Sequence, residues 1–417
     1  MHSNSSLIRF GSIFIVSTAI LGILPGCLLR REGQTSNWLV FKKAVDGFIA
    51  LPSMENSRRL LKALPEKSAG AVLDYQEDAF RYLFEKTYLN ENGLDGWERF
   101  PILEYELWAG NPNVIQLALR LYEYAEYPNS LKLCASISTL IRIHPKSFLD
   151  ALDEKKQDLE PSMLSYLLTC LPQDYFLTTQ AQLQELSMRI KALERVKSDR
   201  LAPLRDNCCA ILKKQIEEIE LAPLLIWPVS EHYEEEPPES VKTAFEEFVR
   251  CPSMGNARAF RDSIPLNEQK GYTDKIQHLI LLGRRRVERS LGYLVLEREA
   301  VAGNRYAAEA LFRMYNISPG GIDTLELLAS LSKLIRINPR LFLETLYSYK
   351  DVLDLEWKEG LVRFLPVQFR EKRHMIHEYK MRQEALAGVA APFLREIREY
   401  CVGTLGEAIR LRTRRLK

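Results

Sequence analysis

Ala135-Ser136-Ile137-Ser138-Thr139-Leu140-Ile141-Arg142-Ile143-His144-Pro145-Lys146-Ser147-Phe148-Leu149 is written a second time as Ala329-Ser330-Leu331-Ser332-Lys333-Leu334-Ile335-Arg336-Ile337-Asn338-Pro339-Arg340-Leu341-Phe342-Leu343. Ten of the fifteen positions are identical at an offset of 194, where chance gives about one, so the chain is a tandem duplication. A second block supports this. Phe48, Pro52, Ser53, Met54, Asn56, Arg58 and Pro65 recur as Phe248, Pro252, Ser253, Met254, Asn256, Arg258 and Pro265, at an offset of 200. The offset drifts between blocks, so loops differ in length while the segments between them are kept.

Those segments read as helices. Leu117, Leu121 and Tyr124, then Leu133, Ile137, Leu140 and Ile141, fall three and four residues apart, which places them on one helical face. Stops occur at Gly110-Asn111-Pro112, Tyr127-Pro128-Asn129, His144-Pro145, Glu160-Pro161 and Leu171-Pro172. The spacing predicts short helices, and no run alternates as a strand does. The fold class expected is all-α: two homologous modules of antiparallel helix pairs, over 36–222 and 239–417. An acidic, Pro-containing linker, 223–238, lies between them and includes Pro228, Glu234, Glu235, Glu236, Pro237 and Pro238. Duplicated short helix pairs resemble the HEAT and armadillo class of helical repeats. That resemblance implies a concave face, or a cleft between modules, that holds a protein or peptide.

The chain has 417 residues, 46% hydrophobic, with a net charge of +2. That composition fills an ordinary core and supplies no global field for nucleic acid, so no nucleic-acid partner is expected. The N-terminus reads as an address. Arg9 precedes the uncharged apolar run 12–24, which is too short for a free-standing span and suits a signal peptide. Leu24-Pro25-Gly26-Cys27 follows and resembles the bacterial lipoprotein box, although Pro25 departs from the small or aliphatic residue usual there. The resemblance implies a signal peptide over 1–26, a diacylglycerol on Cys27, and a lipid-anchored tether over 27–35. The body would then face the periplasm or the cell exterior. The alternative is an uncleaved anchor over 12–29, with Arg30 and Arg31 leaving the body in the cytoplasm.

Six cysteines remain beside Cys27, with no CxxC and no zinc spacing, and are read as buried thiols. His374 and His377 share a helical face, but a metal site needs further ligands and a solvated face is the simpler reading. Arg284-Arg285-Arg286, and the basic C-terminus with Arg410, Arg412, Arg414, Arg415 and Lys417, read as solvated charge. Tyr105, Trp108 and Tyr122 belong to an aromatic group expected in the core.

Arg142 and Arg336 are the candidate site residues inside the duplicated body. An arginine among apolar helical residues needs a counter-charge, and Asp150 and Glu344 stand at equivalent places just beyond the matched prolines. The expected role is structural, tying one helix to the next. Ile143, Ile337, Phe148 and Phe342 are expected in the core, with each module standing largely apart from the other. No GxSxG, P-loop, HExxH or Gly-rich strand-to-helix turn occurs, so no catalytic residue, cofactor or metal ligand is assigned. The expected function is a membrane-tethered interaction scaffold with a protein or peptide partner. An envelope enzyme acting on cell-wall or sugar substrates is the alternative.

Overall fold

The computed structural model describes residues 32–64, 79, 82–83, 86, 102–122, 129–155, 160–172, 178–221, 238–266, 291–318, 322–366, 369 and 372–414. Cys27, Arg284 to Arg286, Arg415, Lys417 and linker residues 223–237 lie outside them. Among the described residues the protein is all-α, with no extended strand.

In the first half the helices are α1 (Glu32–Ala50), α2 (Met54–Ala63), α3 (Ile102–Trp108), α4 (Pro112–Tyr122), α5 (Asn129–Ile143), α6 (Pro145–Lys155), α7 (Pro161–Thr169), α8 (Thr179–Glu194) and α9 (Ala202–Leu221). In the second half they are α10 (Glu239–Arg250), α11 (Met254–Ser263), α12 (Leu291–Val301), α13 (Arg305–Ile317), α14 (Ile322–Ile337), α15 (Pro339–Ser348), α16 (Leu355–Arg363), α17 (Lys372–Ala387) and α18 (Arg395–Arg414). Each helix of the first half has its counterpart nine helices on. α1 starts at Glu32, inside the stretch expected as tether.

The packing repeats with the order. α1 packs on α2, α2 on α4, α3 on α4 and α5, and α5 on α6, α7 and α8; α6 and α7 meet α9, and α8 lies along it. Every one of these pairings recurs between the helices numbered nine higher. The repeated residues explain why. Ser53 Oγ accepts from Asn56 N at 3.2 Å, and Ser253 Oγ from Asn256 N at 3.1 Å, so each serine caps the start of a helix. Each asparagine side chain then donates back across the turn, Asn56 to Leu51 O at 2.9 Å and Asn256 to Cys251 O at 3.0 Å. The block recurs because it is a corner.

The core is filled alike in both halves. Phe41, Val45, Phe48 and Leu60 answer Val241, Phe245, Phe248 and Phe260, all buried. Leu133, Ile137, Leu140 and Ile141 answer Leu327, Leu331, Leu334 and Ile335. Phe148, Phe342, Tyr105, Trp108 and Tyr122 are buried as expected, and so is Ile337. Ile143 is only half-buried, because it turns toward the rim of a surface cleft. Cys134, Cys170, Cys208, Cys209 and Cys401 are buried thiols and Cys251 is half-buried. Burial pushes the thiols of Cys208 and Cys401 up to about 12, which keeps them protonated. Among the described residues no helix is long and apolar enough to cross a membrane.

Candidate functional site

The polar centre is built from three repeated pieces of sequence. The first ends α3 and α12. Leu103-Glu104-Tyr105-Glu106-Leu107-Trp108-Ala109-Gly110-Asn111 answers Leu296-Glu297-Arg298-Glu299-Ala300-Val301-Ala302-Gly303-Asn304. Gly110 and Gly303 have φ of 79° and 98°, a left-handed turn that glycine adopts without a Cβ penalty. The turn swings the next asparagine back over the helix end. Its side chain donates to the carboxylate one turn earlier, Asn111 Nδ2 to Glu106 Oε2 at 3.1 Å and Asn304 Nδ2 to Glu299 Oε2 at 3.3 Å. Glu106 and Glu299 are thereby aimed.

The second piece lies on α8 and α17. Glu185-Leu186-Ser187-Met188-Arg189 answers Glu378-Tyr379-Lys380-Met381-Arg382. The i, i+4 spacing puts each carboxylate beside its arginine, at 2.9 Å in both copies. Arg189 Nη1 also donates to the carbonyls of Leu168 and Cys170, each at 2.8 Å, and Arg382 Nη1 to Phe364 O at 2.7 Å. These bonds satisfy carbonyls at the ends of α7 and α16 that have no helical partner.

Arg142 on α5 and Arg336 on α14 are the third piece, and each holds two carboxylates. Arg142 Nη1 lies 2.7 Å from Glu185 and 2.5 Å from Glu299. Arg336 Nη1 lies 2.5 Å from Glu106 and 3.1 Å from Glu378. The second nitrogens make Glu299 and Glu106 bidentate, at 3.2 Å and 2.9 Å. Glu299 belongs to the second half and Glu106 to the first. Each half thus sends its arginine to a carboxylate of the other, and the two bridges are reciprocal.

The expected partners are therefore corrected. Asp150 binds Lys146 and Arg200, and Glu344 binds Arg340, all at the surface. Those carboxylates sit one turn past the helix start, where short local pairs compete for them, while Arg142 and Arg336 point inward. The halves are also less separate than expected, since the bridges run between them.

The bridging side chains are out of water. Arg142, Glu185 and Glu299 are 5%, 3% and 3% exposed, and Arg336, Glu106 and Glu378 are 7%, 0% and 1%. Burial alone raises the carboxyls of Glu185 and Glu378. The flanking arginines outweigh it, and both groups titrate below the ordinary carboxylate range. The shared skeleton of each cluster is two arginines and two glutamates, whose charges close to zero. Removing one member strands the others, and that costs about 3–5 kcal/mol for a buried pair.

The rest of each cluster differs. Tyr105 donates to Glu378 Oε1 at 2.5 Å, and Arg336 stacks 5.4 Å from its ring. The matching Arg298 instead donates to Thr139 at 3.2 Å and stacks 5.9 Å from the Trp108 ring. His377 is matched by Gln184, and burial is the main cause that lowers its imidazole, with Arg336 next. His374 is buried and His377 half-buried, so this pair is not the solvated face expected. The reason is that α17 turns it toward the first half. Among the described residues no group of three or more His, Cys, Asp or Glu is placed to hold a metal ion.

One surface cleft lies where α5 meets α6 and α8 meets α9, lined by Ile143, His144, Lys146, Ser147, Arg195 and Lys197 among others. The second half has Ile337, Asn338, Arg340, Leu341, Gly388 and Ala390 at the equivalent positions, so Lys146, Arg195 and Lys197 in one copy are answered by Arg340 alone in the other.

Sequence reading found Arg142 and Arg336 and missed all four carboxylates that meet them. The signal was present in the repeats at 104–111 and 185–189, both at an offset of 193. No protein-family model, curated protein or solved structure matches the chain.

Proposed function

We propose that the protein is a membrane-tethered helical scaffold of the bacterial envelope, anchored by a diacylglycerol on Cys27, that binds a protein or peptide partner. Its helix pairs would stack in the manner of a helical repeat. The observation that supports this reading is where the two copies agree and where they part. They agree at the buried frame: the corner asparagines, the core rows, and the Arg–Glu bridges. They part at the surface, most plainly around the cleft that carries Arg195 and Lys197 in one copy and Gly388 and Ala390 in the other. A frame held constant beneath a divergent surface suits recognition, because rigid helices fix the geometry and surface side chains choose the partner.

The test has two arms. Mass spectrometry of the mature protein should find a diacylated Cys27 as its first residue. A photo-crosslinking amino acid at position 147 should give a discrete adduct in intact cells, and one at the matching position 341 should not. An intact Met1 terminus overturns the anchor, and identical adducts at both positions overturn the cleft as the partner site.

A further inference from the structure

α1 and α10 are the same helix turned to different surroundings. Their inward faces match: Phe41, Val45 and Phe48 against Val241, Phe245 and Phe248, all 1% exposed or less. Ala44 and Ile49 answer Ala244 and Val249. Their outward faces do not match. α1 presents Leu39 and Val40, 56% and 58% exposed, with Lys42 and Lys43 beside them. α10 has Glu239, Ser240, Lys242 and Thr243 at those places, then Glu246 and Glu247 where α1 has Asp46 and Gly47. Over positions 39–47 the charge is two lysines less one aspartate, +1, on α1; over 239–247 it is one lysine less three glutamates, −2, on α10. The inward rows of the two helices match, so core packing does not account for the difference.

We infer that the outward face of α1 lies on an anionic lipid surface, and that α10 faces water. The inference rests on the anchor reading above and adds an orientation to it. Position alone supports a lipid occupant. Cys27 stands five residues before Glu32, where α1 begins. The five steps from Cys27 to Glu32 span at most about 18 Å, and seven helical residues add about 10 Å to reach Leu39. The face therefore sits within a short step of the membrane that a lipid on Cys27 enters. Its chemistry supports the same occupant. Apolar side chains flanked by lysines suit the boundary between acyl chains and anionic headgroups. Lys42 lies 5.8 Å from the Tyr82 ring and Lys86 lies 5.6 Å from it, which gathers a third lysine to the same side. A diacylated cysteine already holds the chain to the bilayer, so α1 sets which way the body points rather than whether it binds. The reciprocal bridges then carry that orientation to the second half.

The test uses the full lipidated chain on vesicles of phosphatidylcholine and phosphatidylglycerol. An environment-sensitive fluorescent amino acid is placed at position 39, or at the matching position 239, and quenched with iodide. Position 39 should become several-fold less accessible on vesicles than in the vesicle-free Cys27→Ser protein, and position 239 should not change. Replacing Lys42 and Lys43 together, Lys42→Glu with Lys43→Glu, should restore quenching at position 39 while the protein still floats with the vesicles. A chain that fails to float overturns the anchor reading and this inference together. A chain that floats with positions 39 and 239 equally quenched overturns this inference alone. Protection of position 39 without vesicles also overturns it, because a second copy then covers the face.

Discussion

The Arg142 and Arg336 clusters share a skeleton and differ in how it is sealed. Both set an arginine between a carboxylate of its own half and one of the other, backed by a second arginine and an asparagine. Around Arg336 the seal is Tyr105, 3% exposed, whose hydroxyl donates to Glu378. Around Arg142 the same place holds Arg298, half-buried and turned to Thr139. The comparison separates what the bridge requires from what it tolerates. Two positive and two negative groups out of water must balance, and an unbalanced change is costly. The fifth position is filled by a buried phenol in one cluster and a half-buried guanidinium in the other.

The largest effect should come from breaking the skeleton. Arg336→Ala and Arg142→Ala should each destabilise the chain by about 3–5 kcal/mol, since each strands two buried carboxylates. Lysine should rescue neither, because an ammonium does not reproduce the bidentate fork. Chemical unfolding followed by tryptophan fluorescence would show this. Because each bridge spans both halves, the loss should appear in one shared transition. Two separated transitions, with only one moved, would break the claim of reciprocity.

Removing core aromatics should come close behind. Phe148→Ala and Phe342→Ala remove rings that are fully buried, and each should cost about 3–4 kcal/mol. The two losses should be nearly equal, as the rings fill equivalent sites. A thermal shift of only a degree or two for either one would show that its site is not core.

The seal itself is a smaller target. Tyr105→Phe removes a hydroxyl bonded to a buried carboxylate and should cost about 1.5–3 kcal/mol. Arg298→Ala, at the matching and less buried place, should cost less than that. Equal losses would mean that both edges are sealed alike.

The smallest difference should be in acid. Burial, and after it Arg336, lower the His377 imidazole, while Glu106 and Glu378 and the Pro52 carbonyl oppose this only in part. A histidine whose folded value is depressed is neutral in the fold and binds its proton more readily when unfolded. Its contribution is therefore complete above about pH 6.5 and declines as pH falls below that value. Gln184 has no such proton. The depressed carboxyls of Glu185 and Glu378 contribute above about pH 4.3 and lose that contribution as pH falls further. His377→Gln should flatten the stability profile between pH 5 and 7 and leave the steeper acid limb in place. An unchanged slope between pH 5 and 7 would show that His377 does not titrate against the bridge.

Much of the fold was legible in the sequence. Pro145 and Pro339, the matched apolar rows, and the Pro-Ser-Met block each encode a local act: stopping a helix, filling a row, capping a turn. Such acts leave their pattern in neighbouring residues. The bridges were half legible. Arg142 and Arg336 stood out as charges among apolar neighbours, which says only that a partner exists. Glu299 lies 157 residues from Arg142 and Glu106 lies 230 from Arg336, and no spacing on a single helix encodes a reach of that kind. Asp150 and Glu344 attracted the pairing because they were near in sequence. Ile143 misled for another reason, since its row is apolar but its end of the row opens on the cleft.

The crossing of the two bridges has a consequence for descent. After a duplication one copy is ordinarily free to decay while the other carries on. Here the glutamate at 106 answers to the arginine at 336, and the glutamate at 299 to the arginine at 142. A change in one copy has to be met in its sister, and neither can be shed without unmaking the other. What began as a spare has become a mutual dependence, and the two copies are bound to drift as a pair.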